Sequence, residues 1–258
     1  MFTLVGYTES QDSASLTNVA ALADPHVRVS GDDIIVPASL AYIGGVYAIG
    51  ASITRAQLVS PSIRRRYPFE VAPVEIAAEP AEPVKYYPLF DNPIAVDPDE
   101  SLNFQAAENG AGAQQSSGFV WFCDGATAPI TGAEIFTIRA TNASTLTAYA
   151  WTNGALTFND TLPAGEYALV GARGSSAGLI AFRFVFSQYA WRPGAIAMDT
   201  TGEVGAPIFR FGKLGTWGEF SHNTPPTVDF LSLSADTSQT VDLDLILLSG
   251  RLSGPGRS

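Results

Sequence analysis

Leu146-Thr-Ala-Tyr-Ala-Trp-Thr-Asn-Gly-Ala-Leu-Thr-Phe158 is the stretch that decides the fold class. Two short runs rich in Thr, Tyr, Trp and Phe flank Asn153-Gly154. Such side chains suit a pleated, half-buried surface. Asn-Gly is the strongest short hairpin signal, because both residues tolerate positive φ in a type I′ turn. Working outward, the texture recurs. Phe119–Cys123 is an apolar run between Gly118 and Gly125, and Glu134–Ala140 alternates. Tyr167–Gly171 and Leu179–Phe186 are separated by the small residues 174–178. Ile208–Phe211, Thr216–Phe220, Val228–Leu233 and Thr240–Leu248 complete the series. In the last run Asp242 and Asp244 alternate with leucines, which predicts one wet face. About ten short strands with turn residues between them predict a β-sandwich or barrel. Eight strands in two sheets make a jelly roll.

The first part of the chain reads differently. Leu40, Ile43, Val46, Tyr47, Ile49, Ile53 and Leu58 fall near a 3.6-residue period, which predicts a helical segment near residues 39–58, capped by Ser39 and stopped by Pro61. Residues 34–54 carry no charge and are long enough to cross a bilayer. Pro37, Gly44, Gly45, Gly50, Ser52 and Thr54 dilute the segment, so it is expected to be buried inside a soluble fold. Seven of the 17 prolines lie between Pro68 and Pro98. Glu70–Glu100 holds eight acids and one base, Lys85. Proline removes a backbone donor and fixes φ, so residues 61–100 are expected to form an extended surface arm or proline-bounded edge strands. The N-terminal residues lack a basic region followed by a long apolar core, so no signal peptide is expected.

Composition narrows the function. Of 258 residues, 46% are apolar and only 15% charged. Typical domains carry about 25% charged residues, so much of this surface is expected to face other copies. The net charge of −11 argues against nucleic-acid binding, which needs a basic face. A single cysteine, Cys123, allows no internal disulfide, and with only His26 and His222 beside it zinc has too few soft ligands.

Candidate chemistry is sparse. Gly174-Ser175-Ser176-Ala177-Gly178 matches G-x-S-x-G, and Asp199 and His222 follow in hydrolase order. A nucleophile elbow needs a strand before the motif and a helix after it, whereas Leu179–Phe186 reads as another strand, so a hairpin of small residues is expected. Calcium is the one cofactor the sequence admits, at Asp97, Asp99 and Glu100, since calcium takes clustered oxygen ligands. The plainer reading of those acids is a solvated loop. Arg64-Arg65-Arg66, the one basic run, is a candidate interface. It can pair with the acidic arm of a neighbouring subunit or with the arm of its own chain. Trp121, Trp151, Trp191 and Trp217 are expected as core or interface anchors, with a carbohydrate platform as the alternative. Cys123 is expected to be buried and inert. Asn142-Ala-Ser144 and Asn159-Asp-Thr161 match the glycosylation sequon by chance.

The strand series from Phe119 to Leu248, the arm from Pro61 to Pro98 and the tail after Ser249 together resemble the jelly-roll major capsid proteins of tailless icosahedral viruses, some of which carry two jelly rolls per chain. The resemblance implies a mainly β fold with two jelly rolls, a non-enzymatic coat function and a place in the virion, as in a bacteriophage. It implies residues 1–118 as an N-terminal roll or a helix-plus-arm region, 119–248 as a C-terminal roll and 249–258 as a flexible tail. It further implies self-association, as trimers of pseudo-hexagonal outline that tile a shell. Other virion proteins, and an internal membrane beneath the shell, would be the remaining partners. Two other classes fit the β pattern: a carbohydrate- or receptor-binding sandwich such as a phage fibre or lectin-like module, and a β-sandwich hydrolase using Ser176 or separated acids.

Overall fold

The structure, a computed structural model, describes residues 1–66, 69–75, 87–88, 92–125, 135–199 and 216–250. The chain divides into two units, Met1–Ala126 and Thr127–Ser258.

The first unit contains β1 (Phe2–Gln11), β2 (Thr17–Val19), β3 (Val29–Ser30), β4 (Asp33–Ile35), β5 (Tyr42–Gly50), β6 (Ile53–Val59), α1 (Pro61–Arg66), β7 (Phe69–Val71), β8 (Val74–Glu75), β9 (Tyr87–Pro88), β10 (Ile94–Ala95), β11 (Ser101–Glu108) and β12 (Gln114–Cys123). One sheet runs β1-β12-β5-β10 and the other β4-β11-β6-β7, with β3 beside β4 and β2 beside β11. Count the eight strands of these two paths in chain order. The first sheet is then first-eighth-third-sixth, and the second is second-seventh-fourth-fifth. That is the strand order of a complete jelly roll, with each path pair antiparallel.

The second unit contains β13 (Ile135–Asn142), β14 (Thr152–Gly154), β15 (Thr157–Phe158), β16 (Gly165–Ser176), β17 (Leu179–Val185), β18 (Gly194–Ile196), β19 (Met198–Asp199), β20 (Gly218–Ser221), β21 (Thr227–Ser232) and β22 (Gln239–Gly250). Its sheets follow β13-β22-β16-β20 and β14-β21-β17-β18, with β15 beside β13 and β19 beside β16. Counted the same way, these paths repeat the order of the first unit. The chain therefore holds two jelly rolls in tandem, the fold that the resemblance implied.

Both rolls cross between sheets at the same step. β5 and β6 lie in different sheets and are joined by residues 51–52; β16 and β17 also lie in different sheets and are joined by residues 177–178. The Gly174–Gly178 segment is therefore a corner between sheets, not a hairpin, and Gly178 takes φ 75° there.

The cores interdigitate aromatic rings with glycine. A Cβ on Gly118 of β12 would lie 2.5 Å from the Phe104 ring of β11 in the facing sheet. Gly174 stands in the same relation to Phe182, and Gly218 to Phe186, each at 2.6 Å. Beside Gly118, Tyr7 stacks on Phe104 at 5.9 Å and donates from its hydroxyl to the Leu102 carbonyl at 2.7 Å. In the second roll Phe184 meets Trp217 edge-on at 5.8 Å, and Tyr167 stacks on Phe220 at 5.8 Å. Large side chains over small ones fill the space between sheets at interior density.

Five further sequence expectations change. The segment 39–58 is not helical: it forms β5 and β6, and β5 pairs along its length with β12. Nearly every β5 side chain is buried, so no polar face remains to reveal a period of two. Pro61 does not stop a helix but opens α1 at its first position. The boundary expected at 118/119 moves, because Phe119–Cys123 belongs to β12 of the first unit, hydrogen-bonded to β1 and β5. Asn153-Gly154 is not a hairpin turn: β14 pairs with β21, while β15 pairs with β13 in the opposite sheet. Gly154 is required instead by the Asn142 amide, which lies where its Cβ would be. Finally, Asp242 and Asp244 face no water, at 5% and 0% exposure.

Of the arm expected over 61–100, the described residues form α1 and the short strands β7 to β10, with β7 and β10 ending their sheet paths, and residues 67–68, 76–86 and 89–91 lie outside the described residues. The Ile208–Phe211 run lies outside the described residues, as does the tail beyond Gly250, to which β22 extends. Among the described residues no helix is long and apolar enough to cross a membrane.

Candidate functional site

The arginine run is set by its own helix start. Ser60 caps α1: its Oγ accepts the Ile63 N–H at 3.2 Å, and its carbonyl accepts the Arg64 N–H at 2.9 Å. The Glu100 carboxylate accepts from the Ser62 N–H at 3.0 Å and from the Ser62 hydroxyl. An acid near a helix start also meets the positive end of the helix dipole. Arg64 and Arg65 stand exposed, and neither has an ion-pair partner among the described residues. The Arg66 backbone ends α1, and its side chain lies outside the described set.

Glu100 is thereby committed to α1. Asp97 and Asp99 are exposed in the preceding turn, where Asp99 takes φ 61° and donates its N–H to the Val36 carbonyl at 3.0 Å. Among the described residues, no three acidic, histidine or cysteine side chains gather where they could hold a metal. The structure thus does not bring Asp97, Asp99 and Glu100 together as calcium ligands. Proximity in sequence does not aim carboxylates at one point.

Ser176 and His222 are also kept apart. Ser176 ends β16, where its hydroxyl donates to the Asp236 carboxylate and lies 2.9 Å from the Ser238 carbonyl. His222 sits at the other end of β16, its Nδ1 accepting the Gly165 N–H at 3.2 Å. Gly165 and Ser176 are the first and last residues of this 12-residue strand, a span on the order of 35 Å at ~3.3 Å per residue. The Asp199 backbone pairs with Ser176 in parallel, but its side chain lies outside the described set. Ser176 therefore has a carboxylate neighbour, and His222 is out of reach of the base role.

The main charged constellations escaped sequence reasoning. On β17, Arg183 is 1% exposed, and its Nε donates to Asp229 of β21 at 3.0 Å. Arg192 donates to the same carboxylate oxygen at 2.5 Å, and Asn153 Nδ2 reaches the other at 2.8 Å. The Arg183 guanidinium lies 4.2 Å from the centroid of Trp151. In the other sheet, Asp242 binds Arg139 at 3.0 Å and also binds Arg173, while Asp244 accepts from Thr137 at 2.5 Å. The one available signal was an arginine inside an apolar strand facing an aspartate inside another.

The remaining candidates are structural. Trp121 and Trp217 are buried, and Trp151 and Trp191 are half-buried, so no tryptophan is exposed as a sugar platform. Cys123 is fully buried, and burial raises its thiol pKa above the ordinary value. Asn142 is buried, with its amide donating to the Ala155 carbonyl at 2.7 Å, so that sequon is closed to a glycan.

No family model matches the chain, and no curated protein matches it. Among solved structures it is similar to the major capsid protein P2 from bacteriophage PM2, with 9% identity and a TM-score of 0.29 over 98% of this chain and 99% of that one.

Proposed function

We propose that this chain is a structural coat subunit that assembles with copies of itself, as trimers, into the icosahedral shell of a virion. One observation carries the proposal: the same eight-strand order occurs twice in tandem. Three such subunits around a threefold axis would place six similar rolls in a ring, a near-hexagonal tile suited to covering a surface. Ring-closing contacts of this kind fix an assembly by geometry alone. Composition agrees. Only 15% of residues are charged, and arginines number 12 against two lysines, Lys85 and Lys213. Interfaces are enriched in arginine and depleted of lysine.

Subunit contacts in this proposal include α1, where Arg65 stands exposed and without an ion-pair partner among the described residues. Light scattering on the purified chain, followed by negative-stain microscopy, tests assembly. A mass near three times 27.2 kDa, or closed shells, is the expected result. A stable monomer at every concentration would overturn it.

A further inference from the structure

The sheet carrying β11 has a pocket of about 500 Å³ on its outer face. Leu102, Phe104 and Ala106 of β11 are fully buried, with Phe104 against the Tyr7 ring of the facing sheet. Alternation therefore sends Ser101, Asn103 and Gln105 to the opposite side, where all three line the pocket. Asn18, Asp33 and Arg64 complete its polar wall, and Val59 and Pro61 add a small apolar patch. Arg65 is not part of it: successive helix residues point about 100° apart.

Several of these groups have unused hydrogen-bonding capacity. Gln57 donates to Gln105 at 2.6 Å, and Gln105 donates to the Asn18 carbonyl oxygen at 2.8 Å. This relay leaves the Asn18 Nδ2 hydrogens without a partner among the described residues. The Arg64 guanidinium is likewise unpartnered there. On the acceptor side, the half-buried Asp33 carboxylate has no partner among the described residues. Asn103, at 6% exposure, donates to the Asp32 carbonyl at 3.2 Å and leaves its Oδ1 unpaired.

We infer that this pocket binds a neutral saccharide. Its donors and acceptors are mixed and its one carboxylate is balanced by one guanidinium. A sugar hydroxyl both donates and accepts, so adjacent hydroxyls can give to Asp33 while taking from Arg64 and Asn18. The patch of Val59 and Pro61 accommodates the C–H face of a pyranose. Other ligand classes fit less well. An anion would meet Asp33, and a cation would meet Arg64. An extended peptide finds no free ladder, because β11 is already paired with β2 and β4 on one edge and β6 on the other. The site goes beyond the coat proposal and does not depend on it.

Saturation-transfer NMR and calorimetry on the full chain test the inference. The probes are glucose, galactose, mannose, N-acetylglucosamine and N-acetylgalactosamine, with 3′-sialyllactose and inorganic phosphate as charged comparisons. At least one neutral sugar is expected to bind. Asn18→Ala, Asp33→Asn and Arg64→Gln should each weaken it by about fivefold, the effect of losing one typical hydrogen bond. Arg65→Gln should leave it unchanged. Asn18 and Arg64 are exposed, so their variants report on binding without a folding defect. Failure of every neutral sugar to bind, binding of charged probes alone, or affinity untouched by the three pocket variants would each overturn the inference.

Discussion

Asp229 shows how much depends on single buried charges in a chain with few of them. Its carboxylate holds the buried Arg183 and the nearby Arg192 in one network. Removing one partner of a buried pair leaves an uncompensated charge and costs about 3–5 kcal/mol. Asp229→Ala is therefore expected to lower unfolding free energy by about that amount in a urea titration, whereas Arg183→Met combined with Asp229→Leu should be much milder. Tyr7 gives a pH signature. Burial, aided by the nearby Asp33 charge, holds its phenol well above the usual value. The unfolded chain then loses this proton first as pH rises, so the folded state binds more protons above about pH 10. Stability should be unaffected by this group below that pH and decline above it, by up to about 1.4 kcal/mol per pH unit. Tyr7→Phe, measured by denaturation at pH 8 and about pH 11, should flatten the decline while losing the bond to Leu102. Little of this was legible in the sequence. Asp242 and Asp244 looked solvent-facing because alternation with leucine reports two different faces, not which face is wet. Only the arginines and Thr137 that receive them distinguish the cases.

At the scale of elements, the second roll was largely legible and the first was not. β13, β16, β17, β21 and β22 announce themselves by β-branched and aromatic runs between turn residues. β5 hides because burial covers both of its faces, leaving an apolar run that any period can fit. Its three glycines, Gly44, Gly45 and Gly50, were the better guide, since each weakens a helix by about 1 kcal/mol relative to alanine. The short strands between β6 and β11 were obscured by proline, which suits sheet edges and hides pairing. Glycines beneath rings are the other hidden device. They register the two facing sheets of a roll through partners 14, 8 and 32 residues apart (118 − 104, 182 − 174, 218 − 186), so no fixed spacing lets one partner mark the other. Gly118→Ala would place a methyl carbon against the Phe104 ring, and overpacking of this kind costs about 1–3 kcal/mol. A lower thermal midpoint is expected, and Phe104→Leu in the same chain should restore part of it. If the two substitutions simply added, the ring would not be what excludes the methyl group. Cys123, at the end of β12, provides a probe of the same sheet. Its buried, raised-pKa thiol should stay unreactive toward a disulfide reagent in native buffer and react fully in denaturant.

For the whole molecule, the tandem repeat matters more than any one site. Both rolls follow one strand order, yet their sequences reach it differently: the first with a proline-bounded middle, the second with long central strands. What they share is topology, which presents two loop-bearing ends and two open sheets, each with two edges, per roll. An assembly built from such repeats is governed by complementary surfaces, and charge reversal at a contact acts on the assembly without touching the folded chain. Arg65 allows that to be tested cleanly, because it is exposed and has no ion-pair partner among the described residues. Arg65→Glu is expected to leave the thermal midpoint of the subunit within about 1 °C, since exposed charges away from special features shift stability by no more than about 0.5 kcal/mol. It should shift the light-scattering mass toward the monomer, most strongly at low ionic strength, where exposed charges act over a longer range. Arg65→Lys should largely restore the mass if charge alone operates, and fail to restore it if a carboxylate grips the guanidinium with two bonds. A variant that keeps the parental mass at low and high salt would remove α1 from the subunit contacts and leave them to the sheet edges and loops.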